Sequence, residues 1–369
     1  MILNKMNKWV IIVIVFSVLS MLHVHMVKAA PVQIILTVKA SPDSSRATIL
    51  TIKDIKLAER IIRSETRTKA LSIPVSDVYL TLRNNGLEVT YLLDHRGNLY
   101  NEQNRELIEV HADVKRELIK HAEECRAAHY GKIISWVEAK TLIPKKMKFK
   151  VIDMETGITF HVQRRAGSSH ADVQPLTKKD TAAMKQIYNG HWSWHRKAIL
   201  VQTDHELLAA SMHGMPHGGD GIPDNDFSGH FCIHFLGSSV HGSGNIDPEH
   251  QLMVHKAGGK LREYVDGASP YEMADIFISA LNLKETQILK MIFPKSEHKQ
   301  LEHYLQMKEH ITGIRKRSDH HEQDVSDLLE IEIPVDVSIY QKAREERARL
   351  TFTLSRLSLI DPWKIDSIT

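Results

Sequence analysis

The sequence predicts an α+β, multidomain fold: a central, mostly β, catalytic-like domain lies between an N-terminal α+β module and a C-terminal module of helices followed by a hairpin. Three observations lead there. At 369 residues the chain exceeds the usual length of one domain. Short alternating segments gather between Phe149 and Phe235, separated by glycine-containing turns. Longer stretches with helical spacing occupy residues 102–129 and 271–310. The expected divisions are a signal peptide over 1–29, the N-terminal module over 30–143, a His/Cys-bearing domain over 144–266 and the C-terminal module over 267–369.

Lys5 and Lys8 precede an apolar run from Trp9 to Leu22, and Val27-Lys28-Ala29 offers a cleavage site before Ala30-Pro31. The run is 14 residues long, short of the ~20 that span a bilayer. An exported protein acting outside the cytoplasmic membrane is expected, with no stable transmembrane span after cleavage. Charged residues make up 25% and the net charge is +3, which gives no nucleic-acid footprint. Two cysteines, Cys125 and Cys232, do not make a disulfide framework.

In chain order, Val32–Val38 reads as a strand and 53–69 as an amphipathic helix. Val78–Arg83 and Leu87–Leu93 flank Asn84-Asn85-Gly86, a hairpin signal. Apolar residues at Leu107, Val110, Val114 and Leu118 predict one helix over 102–129. A second hairpin joins Phe149–Asp153 to Ile158–Gln163. Thr177, with Asp180 three residues on, caps a helix through Tyr188. Ala198–Gln202 and Leu207–Met212 are strands. Asp247-Pro248 opens a helix toward Val265, with Gly258-Gly259 weakening its middle. Helices near 271–281, 284–292 and 297–310 and strands over 328–340 and 349–359 complete the chain.

The chemistry concentrates in histidine. Of 23 in the chain, twelve lie between His161 and His255. In Gly229-His230-Phe231-Cys232-Ile233-His234-Phe235, strand alternation puts the three apolar residues on one face and His230, Cys232 and His234 on the other. An imidazole beside a thiol can stabilise the thiolate and make a nucleophile. His213 could return to this face through the glycine-rich loop that follows it. Arg165 could hold a substrate carboxylate, as could Arg164, although the surface suits both. Trp194 could line a substrate groove. His217, His241, His250 and His255 are expected to be solvated or capping.

The spacing His213-Gly214, fourteen residues, then Gly229-His230-Phe231-Cys232-Ile233-His234 resembles the signature of bacterial L,D-transpeptidases. That signature is His-Gly, then Ser/Thr-His-Gly-Cys, a hydrophobic residue, and Arg or Asn. The resemblance covers about 24 residues and departs from the pattern at Gly229, Phe231 and His234. It implies that Cys232 is a nucleophile acylated by a peptide stem, with His230 as base and His213 in support, and that no cofactor is needed. His234, Arg165 and Trp194 would then meet substrate, and the partner would be peptidoglycan or another wall polymer. Residues 150–257 also look like an uncharacterised domain of secreted bacterial proteins, sometimes joined to wall-binding modules.

Zinc is the competing chemistry, since His, Cys and Asp are its ligands. His170 and Asp172, with His234, form the alternative metal set, and a zinc-dependent wall peptidase is the alternative function. A third reading is a non-catalytic wall-binding protein.

Overall fold

A computed structural model describes residues 32–63, 66–219, 221–241, 244–295, 298–317, 322–342 and 344–369. The signal peptide expected over 1–29 lies outside the described residues. Both helices and sheets are present, as expected of an α+β chain, and the hydrophobic residues gather in three clusters.

The first cluster is built on a seven-stranded sheet ordered β2-β1-β4-β5-β6-β7-β3. Its members are β1 (Gln33–Val38), β2 (Thr48–Ile52), β3 (Arg67–Lys69), β4 (Val78–Asn84), β5 (Leu87–Leu93), β6 (Leu99–Asn101) and β7 (Glu106–Ile108). Helices α1 (Ile55–Ile62) and α2 (Ala112–His129) pack on it. The expected hairpin at Asn85-Gly86 joins β4 to β5. The helix expected over 102–129 is shorter, and its first turns are a strand instead. Arg105, at φ +55, turns the chain so that Leu107 pairs with Tyr100 on one side and Thr68 on the other. Spacing of three and four also fits a short strand followed by a helix, and sheet pairing decides between them.

At the end of α2, His129 is fully buried against Arg46 and Thr48. Burial, followed by the charges of Arg46 and Arg126, lowers its pKa from 6.5 to about 3. The unfolded chain takes up this proton near 6.5 and the folded chain only near 3. Stability is therefore retained above pH 6.5 and is expected to drop by several kcal/mol as pH falls from 6.5 toward 3. Urea titrations at pH 7 and pH 4 check this: His129→Gln should flatten the difference, and an unchanged difference refutes the assignment.

The second cluster includes the interior of a closed six-stranded barrel, β10-β13-β12-β11-β8-β9. Its strands are β8 (Lys148–Asp153), β9 (Thr159–Ala166), β10 (Ala171–Pro175), β11 (Lys197–Gln202), β12 (Leu207–Met212) and β13 (Phe231–His234). Alternate residues such as Val151, Phe160, Val173, Val201, Phe231 and Ile233 belong to that cluster. Helix α3 (Trp136–Leu142) and α4 (Lys178–Ile187) pack against this core. Thr177 caps α4 by accepting from the Asp180 amide, while the Asp180 carboxylate accepts from the His161 backbone. Arg164 is buried rather than at the surface. It donates to the carbonyls of Lys140, Ile143, Ala166 and Gly167 and so ties α3 to the barrel.

The third cluster joins α5 (Pro248–Ala257), α6 (Leu261–Asp266), α7 (Pro270–Asn282), α8 (Thr286–Ile292) and α9 (Lys299–His310) to a four-stranded meander. The meander consists of β14 (Gly313–Lys316), β15 (Glu330–Gln341), β16 (Arg344–Ser355) and β17 (Lys364–Ile368). The helix expected from Asp247 to Val265 is broken at Gly258-Gly259. Gly259 sits at φ +66 against the Tyr130 ring, where a side chain would collide. Leu252 and Met253 of α5 share the third cluster with Leu200 and Ala209, which lie on the barrel's outer face. Among the described residues, no helix is long and apolar enough to cross a membrane.

Candidate metal centre

The site lies on the outer face of β10 and β13, which pair antiparallel with Asp172 directly opposite Cys232. Alternation turns Phe231 and Ile233 into the barrel core, so Cys232 and Asp172 must face outward on one row. The same register extends to a neighbouring pair, and the rings of His170 and His234 stack with centroids 4.5 Å apart. His250 of α5 stacks on the other side of His234 at 3.7 Å and hydrogen-bonds Ser211 of β12.

Two loops close over this row. The first returns from β12 and forms an isolated antiparallel bridge, His217 with His230, through two backbone hydrogen bonds of 2.9 and 2.8 Å. Gly229, at φ +90, makes this bridge possible, because any side chain there would collide with the His217 carbonyl. The second loop follows β13, is held to the turn before β10 by the Ser239 amide on the Ser169 carbonyl, and carries His241.

Six donors converge as a result. The Cys232 sulfur is 3.4 Å from His217 Nε2 and 3.9 Å from Asp172 Oδ1. Asp172 Oδ1 is 3.2 Å from His170 Nε2, 3.3 Å from His241 Nε2 and 3.8 Å from His230 Nε2. Zinc bonds of about 2.0–2.3 Å put the edges of a tetrahedron at about 3.3–3.8 Å, which the 3.2–3.9 Å contacts above bracket.

Tautomers sharpen the point. His170 Nδ1 lies 2.7 Å from the Ser239 carbonyl and His217 Nδ1 3.0 Å from the Met215 carbonyl. A carbonyl only accepts, so both Nδ1 atoms carry protons and, in the neutral rings, both Nε2 atoms present lone pairs. The buried Nε2 of His230 has no hydrogen-bond partner among the described residues. An imidazole held through one nitrogen by a backbone carbonyl, with the other left free, is the usual arrangement of a metal-bound histidine. The His170 Nε2 lone pair lies 3.2 Å from a carboxylate oxygen and accepts a hydrogen bond when His241 Nε2, at 2.9 Å, carries a proton.

The electrostatics agree. Burial raises the Cys232 thiol far above its ordinary value, and the Asp172 carboxylate raises it further. A thiolate here needs a compensating cation, which a metal supplies by binding it. Burial alone would raise Asp172; with the surrounding rings protonated, a hydrogen bond from His170 and the charges of His230, His170 and His241 hold it below the usual carboxylate value. Burial, chiefly, lowers His230.

Of the residues singled out from sequence, Cys232, His230, His170 and Asp172 meet in this cluster. The imidazole on the sulfur is that of His217 rather than His230. His213 is buried beside the cluster, with its ring 5.2 Å from His217 and 4.7 Å from Trp194. Trp194 is 49% exposed and also faces His217 at 5.2 Å, which makes it part of the site's mouth. His234 is enclosed between His170 and His250, and its Nδ1 has no hydrogen-bond partner among the described residues. Arg165 hydrogen-bonds Gln163. His217 and His241 are the donors that sequence reasoning passed over. The glycines at 218, 219 and 229 were the available signal that the first loop folds back. Both cysteines are free. No family model matches the chain, and no curated protein matches it.

Proposed function

We propose that this protein is an exported zinc-dependent hydrolase that cleaves amide bonds in the peptide stems of a cell-wall polymer. One observation carries the zinc reading: four imidazoles, a carboxylate and a thiol converge, with at least two of the imidazoles anchored through Nδ1 so that Nε2 points inward. The wall as target rests on the export signal and on the motif resemblance at 213–234.

Zinc bound there would polarise a substrate carbonyl and lower the pKa of water. The chain's own groups have separable tasks. Cys232 and Asp172 bring the negative charge that offsets the ion. The Ser239 and Met215 carbonyls hold His170 and His217 in register. The His234–His250 stack backs His170 and shields that side from water. His241, with its side chain 54% exposed, and Trp194 border the opening through which a substrate enters.

Elemental analysis after metal-free purification and zinc reconstitution is the direct test, combined with digestion of purified wall. Bound zinc is expected, with release of stem peptides that stops on chelation and returns with zinc. A chain that takes up no zinc, or digestion indifferent to chelation, refutes the proposal.

The 3.4 Å contact between Cys232 Sγ and His217 Nε2 favours a second reading. In it Cys232 performs acyl transfer as in the L,D-transpeptidases, and His217 takes the thiol proton. The buried thiol beside a carboxylate weighs against it.

A further inference from the structure

Resting on the zinc reading, we infer that the centre holds two metal ions rather than one. A tetrahedral zinc needs four donors, and six are present. They fall into two overlapping quartets, His217, His230, Cys232 and His241 in one, and His170, Asp172, Cys232 and His241 in the other. Each quartet therefore has two donors of its own, one pair on the returning loop and the start of β13, the other at the start of β10.

The shared donors divide by their chemistry. A thiolate sulfur has several lone pairs and can bridge two ions, whereas an imidazole nitrogen has one and serves a single ion. His241 Nε2 lies 2.9 Å from His170 Nε2 and 3.3 Å from Asp172 Oδ1, so His241 goes with that pair. One ion then has His170, Asp172, His241 and the Cys232 sulfur, a full set. The other has His217, His230 and the same sulfur, which leaves a fourth position for substrate or water beside Trp194. Two ions about 3.5–4 Å apart suit hydrolysis, since one can hold the attacking oxygen and the other the oxygen that departs or develops charge.

Charge is consistent with this division. A lone divalent ion between Cys232 and Asp172 would be neutralised outright, while a second leaves a positive centre suited to a substrate carboxylate or to the anion formed when a carbonyl is attacked.

Cobalt(II) reconstitution of the metal-free full chain tests the inference, read by elemental analysis and electron paramagnetic resonance. Two cobalt ions per chain are expected, with the signal of the first attenuated by spin coupling as the second enters. His217→Ala with His230→Ala should retain one uncoupled ion, as should His170→Ala with Asp172→Asn, each checked for an intact barrel by circular dichroism. Saturation at one ion in the parent chain overturns this inference and leaves the zinc reading standing. No bound ion overturns both. Two ions without coupling place the second elsewhere on this histidine-rich chain and also overturn it.

Discussion

Phe231→Ala is expected to lower the unfolding free energy by about 3–5 kcal/mol, the range for removing a fully buried phenylalanine. The side chain is completely enclosed within the barrel, with the Phe160 ring at 6.1 Å and the Phe227 ring at 5.9 Å. Its backbone lies between His230 and Cys232 and pairs with Val173 of β10. A cavity here both weakens the barrel and frees the strand that carries the donors. Urea unfolding of the chelated protein isolates the packing loss. Repeating it with zinc should show a second loss, because a looser β13 holds the ion less well. A cost under 1 kcal/mol in the chelated state would mean that this strand is not anchored as described.

The second large effect is on metal affinity. Cys232→Ala removes the one donor common to both quartets that can bridge. Loss of a residue that only supports a ligand costs 10–100-fold in affinity, so removing this thiolate should cost at least about 100-fold, measured by competition with a chromophoric chelator. The same variant separates the two readings of the site. If Cys232 is an acyl acceptor, zinc affinity should be unchanged, and a thiol-reactive carbapenem should label the parent chain at Cys232 and not the variant. If it is a ligand, the zinc-loaded parent should resist labelling and the chelated parent should become labelled more readily.

Local signals in the sequence anticipated much of the fold. The hairpin at Asn85-Gly86, the cap at Thr177 and the start of α5 at Asp247 depend on neighbours within a few residues, and each is where the sequence places it. β7 was taken for helix because its status depends on pairing with Arg67–Lys69, some forty residues earlier in the chain. The two faces of β13 were legible from alternation alone. What faces Cys232 was not: Asp172 comes opposite it through a register 60 residues apart in sequence, and no local pattern encodes that. His217 and His241 were passed over for a related reason. A histidine in a polar loop looks solvated until the loop's return path is known, and here a bridge to His230 and a hydrogen bond to Ser169 set those paths.

The backbone carbonyls that orient the imidazoles have a consequence for the order in which the protein matures. Met215 and Ser239 both belong to connecting segments rather than to the barrel. The barrel can therefore close from its own apolar residues before any donor except Cys232 and Asp172 has settled. Loop ordering costs roughly 1–2 kcal/mol per residue in backbone entropy, and an ion that captures His217 and His241 would repay that cost in the last step. On the proposed reading, the arrangement would separate folding from activation: the scaffold would form from its own apolar residues, and the site would be completed only where the metal is supplied.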